Sequence, residues 1–179
     1  MTIYIREKFE NELKQLGAPP RILSNLLGMI AVNDRERHLK ARKALVKKGE
    51  QILPVMYKLL NSDHKIIRKE AIKVVELIAH KSSIPVMITM LEDSESEIRW
   101  IAAEALINIG RDSIRPLLEA LVTNSKFYYL SQGAHHVISE LMTDEDPEEL
   151  RQLVNVIKSG MEVPESITLF ASKALKQNF

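Results

Sequence analysis

The sequence has no cysteine among its 179 residues, and it is poor in glycine and in aromatic residues. Without cysteine there can be no structural disulfide, no thiolate zinc site and no cysteine nucleophile. No apolar run is long enough to span a membrane, and the first residues lack the apolar core of a signal peptide. Leu, Ile, Ala, Lys and Glu are abundant instead, which favours helices over strands. We therefore expect a cytoplasmic, all-α protein.

Sequence patterns that mark catalytic and cofactor sites are also missing. The six glycines are isolated from one another, so no phosphate-binding loop is indicated. His135 and His136 are adjacent, and neighbours on a helix point about 100° apart, too far to bind one metal ion together. The acidic residues 143–150 lack the glycine and the ligand spacing of a calcium loop, and they favour the start of a helix after Pro147. We predict no cofactor, no metal ion and no catalytic residue, and enzymatic activity finds no support in these residues.

A repeat of constant length runs through the middle of the chain. Each unit opens an apolar helical stretch with a proline, at the equally spaced positions Pro54, Pro85 and Pro116. An arginine recurs at the same step, at Arg37, Arg68 and Arg99. Because one amphipathic helix cannot bury its apolar stripe alone, the repeat predicts a pair of helices per unit, stacked on the next pair.

The polar turns at residues 61–63 and 92–96 are predicted to separate the two helices of a unit. Small alanines in the second helix, such as Ala71 and Ala102, are predicted to let neighbouring helices approach closely.

The segment from Pro85 to Gly110 resembles HEAT repeats, especially the short type found in phycobilisome lyases. The resemblance implies an all-α, α-α superhelix, a HEAT-like solenoid of about five helical pairs, in which the second helix of each unit lines a concave side. It also implies that the turn aspartate and the repeated arginine form a ladder of contacts from one repeat to the next. Asp93 and Arg99 keep that pattern, but Ser62 stands in the place of Asp93 one repeat earlier, and Leu130 takes the place of the arginine one repeat later.

The whole chain, residues 1–179, is predicted to be one domain. The repeats are clearest over residues 35–125, and residues 1–34 and 126–179 are expected to form divergent end units, because their outer faces meet water. Further helices are predicted at about 2–16, 19–31, 127–142, 147–159 and 164–177.

Charge is distributed unevenly along the chain. Residues 35–81 contain 13 Lys and Arg against 5 Asp and Glu, whereas residues 82–179 contain 8 against 15. The helix over residues 35–48 is the most basic, and Arg35, Arg37, Arg42, Lys43 and Lys47 form a candidate anion-binding set. Nucleic-acid binding through this helix is one hypothesis. Against it, the later units are acidic, and aromatic residues for base stacking are few.

The leading hypothesis is a non-catalytic scaffold that binds a protein partner of unknown identity on its concave face. The repeat step places Lys69 in register with Trp100, and Lys73 in register with Glu104 and His135. Trp100 is the candidate anchor of this partner site, since aromatic residues dominate interface energetics. A third hypothesis, a chromophore lyase or its chaperone subunit, follows only from the resemblance to the lyase repeats.

Overall fold

The computed structural model describes residues 7, 10–11, 14–15, 35–123, 128–159 and 164–177. Residues 35–123, 128–159 and 164–177 form nine α-helices and three short 3₁₀ helices, and none of the described residues is in a strand, which confirms the predicted all-α class. Residues 7, 10–11 and 14–15 are helical, as predicted for about 2–16, and the helix predicted over 19–31 lies outside the described residues. Within these ranges no helix combines the length and the apolar character needed to cross a membrane.

The chain divides into two compact units, one ending at Ile78 and one beginning at Ala79. The first unit contains α1 (Arg35–Val46), α2 (Leu53–Leu59) and α3 (Lys65–Ile78). Helix α3 packs against both α1 and α2. Pro54 stands in the first turn of α2, where the missing N–H breaks no helical hydrogen bond. The predicted Pro-initiated helix and its partner thus form the pair expected from the repeat.

The second unit contains six helices arranged in two layers. In chain order these are α4 (Ile84–Met90), α5 (Ser96–Ile109), α6 (Ile114–Thr123), α7 (Tyr128–Leu141), α8 (Glu148–Lys158) and α9 (Pro164–Leu175). Helix α4 packs on α5 and on α6, and α5 packs on α7. The last pair reverses this order, because α8 packs on α7 whereas α9 packs on α6. The final helices therefore cover both layers of the preceding pair within this unit.

Buried side chains recur at the same helical positions in α3, α5 and α7. They are Ile67, Ala71, Val74 and Val75 in α3, then Ile98, Ala102, Ala105 and Leu106 in α5, then Leu130, Ala134, Val137 and Ile138 in α7. The step from α3 to α5 is the one that the sequence repeat predicts, but the step from α5 to α7 is longer by a single position. The residue that corresponds to Arg99 is therefore Ser131, and the residue that corresponds to Glu104 is His136 instead of His135.

The repeated arginine binds backbone carbonyl groups of the turn that precedes its helix. Arg68 Nη1 donates to the carbonyl of Ser62 at 2.8 Å, and Arg99 Nη1 donates to that of Asp93 at 2.8 Å. Arg151 makes the corresponding bond to the carbonyl of Asp146 at 2.7 Å. Because the acceptor is the main chain, serine at position 62 supports this bond as well as aspartate does at position 93.

A partly buried ion pair joins the α5–α6 connection to the α7–α8 connection within the second unit. Arg111, just before α6, donates to both carboxylate oxygens of Asp146 at 2.9 and 2.6 Å, and also to the carbonyl of Leu141. The Asp146 side chain is only 1% exposed, and its Oδ2 also accepts from the N–H of Thr143. The hydrogen bonds from Arg111, together with that from Thr143, lower the pKa of Asp146 to about 2.

Candidate functional site

The candidate site lies between α5 and α7 in the second unit. The two helices form the walls of an open groove with a volume of about 270 Å³. Its lining includes Leu91, Trp100, Ala103, Tyr129, Gln132 and His136. Helix α7 approaches the end of α4 closely at Gly133, where an added Cβ would lie 2.7 Å from Leu91 Cδ2. Glycine at this position therefore lets α7 pack over the Leu91 side chain.

Trp100 is the most prominent side chain of this face. It is 58% exposed, a large fraction for an indole in a packed helical unit. One face of its ring stacks on the imidazole of His136, with ring centroids 4.7 Å apart and planes inclined by 21°. The indole is therefore held in one orientation while much of its surface stays open to solvent. This is the arrangement expected of an anchor for a binding partner.

Glu104 and His136 complete a small polar cluster with Trp100. The Oε1 atom of Glu104 lies 2.9 Å from Nε2 of His136. Trp100 and Glu104 are one helical turn apart on α5, so both project toward the same histidine of α7. His136 thereby positions an aromatic ring and a carboxylate beside each other on the surface.

Arg99 and the tyrosines form the other end of the groove. The guanidinium carbon of Arg99 lies 3.8 Å from the centroid of the Tyr129 ring, a close cation–π contact. Tyr128 packs edge to face against Tyr129 and is 59% exposed. The amino end of α7 is fixed by Glu92, whose Oε1 accepts from the N–H of Leu130 at 2.5 Å.

The structure brings together only part of the predicted partner site. Trp100 and Glu104 lie together on α5, whereas Lys69 and Lys73 are on α3 in the first unit. His135 lies next to His136 on α7, and burial, followed by the positive charge of Lys158 on α8, lowers the pKa of its imidazole. His136 was missed because the repeat step lengthens before α7.

The predicted anion-binding residues lie on α1. Lys43 and Lys47 are exposed, and so is Arg37, while the Arg35 side chain lies outside the described residues. Arg42 Nη2 donates to Glu70 Oε2 of α3 at 2.6 Å, in an ion pair whose side chains are 17% and 6% exposed. The charge of Arg42 is therefore compensated within the first unit, and it anchors α1 to α3.

Comparison with known proteins identifies the repeat. Residues 53–135 match the family described as HEAT repeats. No curated protein and no solved structure gives a significant match to the chain. The match is to HEAT repeats in general and does not distinguish the phycobilisome lyase type. Together with the paired helices, it confirms the predicted α-α superhelical fold class. Residues 53–135 of this chain therefore consist of HEAT repeats.

Proposed function

We propose that this protein is a non-catalytic binding module whose α5–α7 groove holds a segment of a protein partner. HEAT repeats generally mediate protein–protein interactions. The observation that supports this particular groove is the exposed Trp100 indole, oriented by His136. An indole that is already ordered loses little conformational freedom on binding, so its apolar contact contributes more fully to affinity.

The groove supports an extended segment better than a small molecule. It is partly open to solvent and lined by both apolar and polar side chains, whereas ligand pockets enclose most of their ligand. Repeat proteins bind extended partners on such surfaces. Tyr128 and Tyr129 lie at the amino end of α7 and offer additional aromatic contacts for a longer segment.

The test is affinity capture from a native lysate treated with nuclease, comparing wild type with Trp100→Ala. We expect Trp100→Ala to lose the captured protein, because truncation of a central aromatic anchor typically costs about 2 kcal/mol or more, roughly a thirtyfold loss of affinity. The matched control is Leu169→Ala on α9 of the same unit, where the side chain is similarly exposed at 51%. The proposal is contradicted if both variants lose the captured partner equally, or if neither variant loses it.

The lysines predicted for the partner site are tested separately, because they belong to the first unit. Lys73 Nζ lies 3.8 Å from Glu70 Oε1, and its side chain is 25% exposed. We expect Lys69→Glu and Lys73→Glu to weaken capture only if the partner extends beyond the groove. A partner that needs Trp100 but tolerates both lysine reversals is confined to α5 and α7.

Nucleic-acid binding through α1 is the alternative proposal. It is supported by the exposure of Arg37, Lys43 and Lys47 on one helix, and weakened by the ion pair that Arg42 makes with Glu70. Phosphate contacts are sensitive to salt, so this activity has a recognisable signature.

A further inference from the structure

Resting on the function proposed above, we infer that the groove recognises an arginine side chain in a basic segment of the partner. The guanidinium would lie on the open face of the Trp100 indole and bond to the second carboxylate oxygen of Glu104.

His136 leaves one face of the Trp100 indole and one carboxylate oxygen of Glu104 available for a partner. It covers one face of the indole, and it contacts only Oε1 of Glu104. Among the described residues, Oε2 of Glu104 has no hydrogen-bond partner, and its side chain is 34% exposed. One face of the indole and one carboxylate oxygen, on residues one helical turn apart, thus have vacant bonding capacity. A planar guanidinium satisfies both, because it stacks on aromatic rings and donates hydrogen bonds from its edge.

The charges of the two helices favour a cation at this place. Helix α7 contains neither lysine nor arginine, and α5 contains only Arg99. Arg99 is committed to the carbonyls of Asp93 and Ser94 and to the ring of Tyr129. The acidic side chains, Glu97 and Glu104 of α5 and Glu140 of α7, therefore outnumber the cations of the two helices. An acidic segment would meet repulsion here, whereas a basic one would be attracted.

The groove already contains one example of the proposed contact. The guanidinium of Arg99 lies over the Tyr129 ring at 3.8 Å, so an aromatic ring of this face accepts an arginine from the protein itself. The Trp100 ring has a larger π system and binds cations more strongly than tyrosine does. A partner arginine on Trp100 would repeat this packing farther along the groove.

The experiment uses the intrinsic fluorescence of the full-length protein, in which Trp100 is the sole tryptophan. The probes are two short leucine- and serine-containing peptides that differ only in having arginine or glutamine at the same positions. We expect a saturable change in Trp100 emission with both peptides and roughly tenfold tighter binding of the arginine peptide, from the added cation–π and ionic contacts. Raising the salt concentration should reduce this preference.

The Glu104→Gln variant tests the ionic half of the site. Glutamine keeps an oxygen acceptor for His136 but removes the charge, so we expect roughly threefold to tenfold weaker binding of the arginine peptide and unchanged binding of the glutamine peptide. Glu140→Gln is the matched control, since it removes an exposed charge from α7 outside the cluster, and we expect no more than about a twofold effect. Circular dichroism verifies that both variants are folded. If Glu104→Gln is not folded, the salt dependence of arginine-peptide binding to the wild type still tests the ionic contact.

Three results would overturn the inference. The first is equal affinity for the two peptides, and the second is no saturable change in Trp100 emission with either peptide. The third is self-association of the wild type in sedimentation that Trp100→Ala abolishes, because a second copy of the chain would then be the occupant of the groove. If the peptides show no arginine preference while Trp100→Ala still loses the captured partner, the chemistry inferred here is wrong and the binding function proposed above stands.

Discussion

At the scale of single residues, the Asp146 carboxylate provides the clearest stability prediction. We expect Asp146→Asn to lower the free energy of unfolding at pH 7 by about 2 kcal/mol, because it removes a buried charge that Arg111 and Thr143 bind. Arg111 would lose its bidentate partner, although its own side chain is 45% exposed and can be rehydrated. Urea unfolding of the two proteins at pH 7 measures the difference, and an unchanged midpoint would contradict it.

The same carboxylate predicts a dependence on pH. Its pKa is lowered from 3.8 to about 2 in the folded protein, so the folded state holds its proton less tightly than the unfolded state does. The stabilisation is complete above the unfolded pKa and is lost as the pH falls from about 4 toward 2. The wild type should therefore lose more stability than Asp146→Asn over this interval, and parallel pH profiles of the two would rule the linkage out.

The sequence predicts that Trp100 and Glu104 lie on one helix, as they do in α5, but it selects His135, whereas the structure places His136 against both side chains. Helical periodicity fixes which residues of α5 share a face, because no loop intervenes. The assignment of His135 depended on a constant step between repeats, and that step is longer from α5 to α7 than from α3 to α5. Burial of Leu130 and Ala134 reveals the shift, whereas the sequence pattern alone does not.

At the scale of helices, Glu92 is predicted to hold the first turn of α7. Its carboxylate accepts from the N–H of Leu130, one of the donors that a helix start leaves without an intrahelical partner. We expect Glu92→Ala to cost about 1 kcal/mol locally and to raise amide exchange at Leu130 roughly fivefold. Glu119→Ala, an exposed position of α6, is the control. Unchanged exchange at Leu130 would mean that the cap does not stabilise the helix.

The sequence predicted where the helices lie better than it predicted which helices pack against each other. The prolines and apolar spacing located α2 to α9 because these signals are local. The reversal in which α8 packs on α7 and α9 on α6 was not predicted, since it depends on how a terminal pair closes the layers. The acidic residues before α8 were predicted to favour its start. Glu148 and Glu149 do lie in its first turn. Asp146 also binds Arg111, 35 positions away, a distance that no helical periodicity spans.

At the scale of the whole molecule, the uneven charge of the chain separates the two proposed functions. The excess of cations over residues 35–81 predicts weak, salt-dependent association with nucleic acid whatever the main function is. If partner binding in the α5–α7 groove is that function, we expect dissociation constants for duplex DNA of roughly 10⁻⁴ to 10⁻⁶ M at physiological salt, typical of nonspecific binding. A Lys43→Glu, Lys47→Glu variant should weaken this association and leave protein capture intact.

Two measurements on the same variants distinguish the two functions. One is fluorescence anisotropy with a labelled DNA duplex at several salt concentrations, and the other is affinity capture of the protein partner. The lysine reversals act on exposed phosphate-binding candidates of α1, and Trp100→Ala acts on an aromatic anchor of α5, so the two sets of variants affect different helices of different units. Submicromolar DNA binding that the lysine reversals abolish and Trp100→Ala spares would make α1 the functional element, because its affinity would exceed what nonspecific phosphate contacts supply. Weak DNA binding together with loss of the captured protein in Trp100→Ala would assign the function to the groove.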